Sequence, residues 1–67
     1  MDSNTYWIIE RNSGDSWYNT RNFSWERDIL DATAFSSRTK ASNRVSELVM
    51  AGLVRDCSMV EYNYKVT

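Results

Sequence analysis

A chain of 67 residues has room for one hydrophobic core, and at that size folding buries only about 60% of the unfolded surface. This argues for a single binding domain over residues 1–67 rather than for an enzyme with a deep, water-excluding cleft. Its 8 basic and 9 acidic residues leave a net charge of -1, too near neutral for a strong non-specific nucleic-acid binder and too weakly acidic for a mimic of DNA.

The first strand is expected over Thr5-Tyr6-Trp7-Ile8-Ile9-Glu10-Arg11, a run of β-branched and aromatic residues. Asn12-Ser13-Gly14-Asp15 are turn formers, and Gly14 can supply the positive φ of a tight hairpin. A short second strand, Ser16-Trp17-Tyr18-Asn19, follows, and the polar Thr20-Arg21-Asn22 behind it implies another turn or a bulge. Residues Phe23 to Leu30 read either as an extended segment or, as the preferred reading, a loop with a short helical turn started by Ser24. Asp31 to Phe35 form either a brief strand or an extended lead-in, with Phe35 set to pack under the first turn of the next element.

That element is an amphipathic helix over about residues 37–51. Ala41, Val45, Leu48, Val49 and Leu53 recur at the spacing of one helical face. The Ser36-Ser37 pair offers an N-cap oxygen, and Gly52 can take the left-handed conformation that ends the helix. From Leu53 to Val66 the chain reads as a last strand whose later half alternates, with Val60, Tyr62, Tyr64 and Val66 on one side and Glu61, Asn63 and Lys65 on the other. The expected fold is therefore α+β: a small two-layer sandwich in the order β-β-(short extended segment)-α-β, with the helix packed on an antiparallel-rich sheet. A right-handed crossover through the helix would bring the last strand beside an earlier one. The first strand is apolar on both sides, so either the Phe23 to Leu30 segment or a partner or second copy must cover the side away from the helix.

Chemistry-bearing constellations are few. The chain has no histidine and one cysteine, Cys57, which rules out an internal disulfide, a Ser-His or Cys-His nucleophile pair, and a zinc site of the usual ligands within one chain. Cys57 is expected as a small buried hydrophobe in a strand, in a reducing setting. Glu26, Asp28 and Asp31 could hold a hard cation, but acidic residues at a short helical turn are better read as the solvated complement of its positive end. No metal and no cofactor are expected. No apolar run reaches the roughly 18 residues of a membrane span, and MDSNTYW lacks the basic-then-apolar pattern of a signal peptide, so no membrane association and a cytoplasmic location are expected.

Two surfaces stand out. Thr39, Asn43, Ser46 and Met50 form an uncharged stripe on the outer face of the helix, the composition of an interface more than of a solvated face. Arg38 and Lys40 lie in the first helical turn, where the dipole disfavours cations, and Arg44 follows Lys40 at a like-charge spacing. This basic patch offers an alternative reading as a nucleic-acid or anion site.

The strand YWIIE, the SGD turn, DILDATAFSS leading into the helix, and VRDCSMVE after it resemble short bacteriophage-encoded proteins of unassigned function. The likeness spans Tyr6 to Glu61 and rests on turns, caps and core rather than catalytic residues. Where those proteins tend to be acidic early in the helix, this chain has Arg38 and Lys40. The resemblance implies a host-protein inhibitor: a non-enzymatic binding protein that inhibits or redirects a host polymerase, nuclease or defence system, as a monomer or homodimer in the host cell cytoplasm.

Overall fold

The computed structural model describes the backbone of residues 3–65 and the side chains of residues 5–63. The expectation for Val66 and those for the side chains of Tyr64 and Lys65 lie outside them. The elements are β1 (Ser3–Arg11), β2 (Trp17–Asn19), β3 (Ser24–Glu26), a single 3-10 turn (Ile29–Asp31), α1 (Arg38–Met50) and β4 (Cys57–Lys65). They form a four-stranded antiparallel sheet in the order β3-β2-β1-β4, with α1 laid across one side. This is the two-layer α+β sandwich that the residue pattern predicts.

Local chemistry explains most of the boundaries. Ser37 is the N-cap: its backbone is extended and its hydroxyl accepts from the amide of Lys40 at 3.2 Å, satisfying one of the orphan donors of the first turn. At the other end Gly52 takes φ 74°, its N–H donates to the Val49 carbonyl at 3.0 Å and that of Leu53 to the Leu48 carbonyl at 2.9 Å. These two bonds are the paired closure of a Schellman cap, which a left-handed glycine permits. Gly14, at φ 79°, turns the β1–β2 hairpin by donating to the Arg11 carbonyl at 2.8 Å.

Three expectations are corrected. The segment after Thr20 is a third strand rather than a loop at residues 24–26, because the Asn19 side chain accepts from the amides of Arg21 and Asn22 at 2.8 and 3.2 Å and Phe23 takes φ 53°. Together they close a second hairpin that no glycine marks. The helical turn falls later, at Ile29–Asp31, capped by Asp28 rather than started by Ser24. Finally, β4 begins at Cys57, not at Leu53, and runs antiparallel to β1 over nine consecutive pairs from Ser3↔Lys65 to Arg11↔Cys57. The handedness rule for parallel crossovers therefore does not apply to it.

Alternation along β1 sorts the two sides of the sheet. Trp7 and Ile9 share the helix side, where Ile9, Tyr18, Leu48 and Val54 form the core and Trp25, Phe35, Val45 and Cys57 pack against it. Tyr18 meets Trp25 edge to face at 5.1 Å between ring centroids, a favoured arrangement of two aromatic quadrupoles. Tyr6, Ile8 and Glu10 face the other way. On that side the Trp17 indole N–H donates to Glu10 at 3.0 Å, and the side-chain Nδ2 of Asn19, two residues from Trp17, donates to the Asp31 carbonyl at 3.1 Å. The 3-10 turn is thereby tied to the Trp17 side of β2. The chain then runs between the ends of β2 and β1: Thr33 N–H donates to the Tyr18 carbonyl at 3.1 Å, and Phe35 exchanges bonds of 2.8 and 2.9 Å with Trp7.

Tyr18 carries a cost within the core. It is buried, and its phenolic oxygen has no hydrogen-bond partner among the described residues. Burial pushes its pKa above the ordinary 10.0, against a small opposing pull from Arg44. Replacing Tyr18 with Phe removes the desolvated hydroxyl and keeps the ring, so stability at neutral pH is expected to stay level or rise by up to about 1–2 kcal/mol. The pKa also sets a pH window. A raised folded-state pKa means that the contribution of Tyr18 is intact below pH 10.0 and is lost as pH climbs from there through the folded value. Urea melts at neutral and strongly alkaline pH check both points: the wild type should lose more stability over that interval than Y18F. A Y18F variant less stable at neutral pH by more than about 1 kcal/mol would mean that the hydroxyl has a partner.

Candidate protein-binding surface

At about 100° per residue, Thr39, Asn43, Ser46 and Met50 all fall within about 40° of the direction opposite Ala41. Ala41 is fully buried and all four are exposed, Met50 by 88%. The structure thus brings them onto one outer face. Thr39 and Asn43 also join Arg38, Ser42 and Met59 of β4 around a shallow depression of about 310 Å³; Ser46 and Met50 lie farther along the helix.

The buried stripe is narrower than expected. Ala41 and Leu48 are buried and Val45 is partly so, but Val49 and Leu53 are each 48% exposed. Val49 sits eight residues after Ala41 and so about 80° round the helix from it, at the shoulder of the stripe. Leu53 lies past the Gly52 reversal and no longer follows the helical period. Spacing alone places both on the core face. Their exposure instead extends the outer surface with apolar area at the C-terminal end of α1, where Met50 already stands out. Two further exposed apolar residues, Phe23 and Leu30, belong to the β2–β3 turn and the 3-10 turn.

The basic residues are individually engaged. The Arg38 guanidinium lies over the Trp7 ring at 5.8 Å from its centroid, Lys40 Nζ reaches Ser36 Oγ at 3.4 Å, and Arg44 pairs with Glu47 at 2.9 Å. Arg44 Nη1 and Glu47 are a single helical turn apart, and an exposed pair of this kind contributes under about 1 kcal/mol. Arg38 and Lys40 remain exposed.

The acidic residues do other work. Asp28 accepts from the amide of Leu30 at 3.0 Å, capping the 3-10 turn, and Glu26 accepts from Ser24 at 2.8 Å. Among the described residues no cluster of three or more acidic or thiol groups is placed to hold a metal ion. Cys57 packs at the core margin as a half-buried thiol. Burial, and then Asp56, push its pKa above the ordinary value of 9.0, which keeps it in the less reactive thiol form at neutral pH.

One feature has no counterpart in any linear pattern. Arg11, Trp25 and residues 52–56 surround a cavity of about 360 Å³ beside the C-terminal cap of α1. Leu53, which lines it, is itself 48% exposed. Among the described residues no helix is long and apolar enough to cross a membrane. The chain matches no protein-family model, no curated protein and no solved structure.

Proposed function

We propose that the chain is a small non-enzymatic binding protein, of the kind bacteriophages encode, that inhibits or redirects a host protein by direct contact through the outer and C-terminal surface of α1. The observation that carries this reading is the 88% exposure of Met50 next to two half-exposed apolar side chains, Val49 and Leu53. Exposed Val, Met and Leu grouped at the end of one helix, continuous with an uncharged stripe, is the make-up of an interface centre, which is poor in charge and tolerant of Met.

Affinity capture from a bacterial lysate tests it. A stoichiometric protein should be retained by the wild type and lost with Met50→Glu or Ser46→Arg. Both positions are exposed, and a Glu near the helix C-terminus costs the fold less than about 1 kcal/mol, so circular dichroism should show the variants folded. Capture that survives both changes would remove the helix from the interface. The second reading draws on the exposure of Arg38 and Lys40. It requires salt-sensitive binding of single-stranded DNA or RNA that is lost when Arg38, Lys40 and Arg44 become Glu.

A further inference from the structure

Three segments far apart in sequence meet at the cavity beside the α1 cap: the end of β1 with Arg11, β3 with Trp25, and the turn from Gly52 to Asp56 that leads into β4. Its walls are partly apolar, from Trp25, Leu53 and Val54, and its charges are two guanidiniums, Arg11 and Arg55, against one carboxylate, Asp56. The Arg11 guanidinium lies over the Trp25 ring, 4.6 Å from its centroid. A guanidinium held by its face keeps its N–H edge free, and that edge is the part that binds a carboxylate in two parallel hydrogen bonds. Asp15 is close enough to feel the charge of Arg11, but its carboxylate accepts from Ser13 and Ser16 instead, at 2.6 and 3.0 Å. Among the described residues neither Arg11 nor Arg55 has a carboxylate within ion-pair distance. The cavity is thus locally cationic on a chain whose net charge is -1, and it opens beside exposed apolar side chains.

We infer that this cavity receives an Asp or Glu side chain of the protein partner, held between Arg11 and Arg55, while an adjacent apolar side chain of the partner packs on Leu53 and Val49. This rests on the protein-binding reading above and names the chemistry of the partner: an exposed segment that sets a carboxylate next to aliphatic residues. A carboxylate beside an apolar anchor gives such a contact its selectivity, because an uncharged isostere leaves the guanidinium edges unmatched.

The probe is a capped tetrapeptide, Leu-Glu-Leu-Leu, with its Gln counterpart as control, titrated into the ¹⁵N-labelled full chain. The acidic peptide should shift the Trp25 indole N–H and the amides of Gly52 and Arg55 saturably, with a Kd around 1 mM for so short a ligand. Replacing Glu by Gln in the peptide, or Arg55→Gln in the protein, should weaken binding about fivefold, the upper range for an exposed charged contact. Added salt should weaken the acidic peptide alone. Equal binding of the two peptides, or shifts confined to other parts of the chain, would overturn the inference. So would concentration-dependent shifts of the same signals without peptide that Arg55→Gln removes, since those would assign the cavity to the chain's own acidic turn at Asp28 and Asp31. The capture experiment separates the two levels. Capture lost with Met50→Glu but kept with Arg55→Gln leaves the binding role standing and removes the cavity from it; capture kept with both removes both.

Discussion

Leu48→Ala is expected to destabilise the domain by about 3 kcal/mol and to lower its Tm by roughly 12–24 °C, given the steep Tm response of a domain this small. Leu48 is 2% exposed and is the helix's contribution to the cluster with Ile9, Tyr18 and Val54. Truncating it loses the transfer free energy of the removed methyl groups and leaves a void between helix and sheet, because close-packed neighbours relax only partly. A 67-residue chain has a total stability of roughly 3–10 kcal/mol, so this one substitution removes between a third of it and all of it. Val49→Ala is the matched control. The two residues are neighbours on one helix, yet Val49 is 48% exposed, and its truncation should cost less than about 1 kcal/mol. Thermal melts followed by circular dichroism decide the matter, and similar losses for the two variants would mean that the helix is rotated from the orientation described.

That contrast also shows what a linear pattern can carry. The caps of α1 were legible because they are local: a serine before the first turn and a glycine after the last one act on backbone groups a few residues away. The β1–β2 hairpin was legible for the same reason, through Gly14. Strand β3 was hidden. It is three residues long, and its turn depends on a left-handed Phe23 and on an Asn19 side chain that mimics a backbone turn. The outer stripe Thr39, Asn43, Ser46 and Met50 follows from the helical period, whereas the exposure of Val49 and Leu53 depends on how much of α1 the narrow sheet can cover. The cationic cavity was out of reach altogether. Arg11, Trp25 and Arg55 come together only when β1, β3 and the turn before β4 take their places, and no spacing within one segment encodes that meeting.

The side of β1 turned away from the helix supplies the second large effect: Ile8→Ala should cost about 2–4 kcal/mol, as much as a change in the helix-side core. Period-two alternation places Ile8 opposite Ile9, and Ile8 is not part of the cluster under α1, yet it is 1% exposed. Something other than the helix excludes water from it. Its own side of the sheet offers Tyr6 and Glu10 along the strand, Val60 directly across in β4, and Trp17 opposite Glu10. The Trp17 ring is held there by its hydrogen bond to Glu10, and the 3-10 turn is tied to the same side through Asn19 and the Asp31 carbonyl. Tyr6, Glu10, Trp17, Asn19 and Val60 are each half-buried, so the cover on this side of the sheet is itself partly exposed. The residue pattern leaves the cover of this side to the Phe23 to Leu30 segment, a partner or a second copy; residues 24–26 extend the sheet as β3 instead, and the 3-10 turn at Ile29–Asp31 is the part of the chain bonded to Asn19 on this side. If that is what closes it, Ile8→Ala should show its full loss in dilute solution, with a melting temperature that does not change with protein concentration. A wild-type melting temperature that rises with concentration, together with a loss below about 1 kcal/mol for the variant in dilute solution, would show that a second copy shields Ile8 instead.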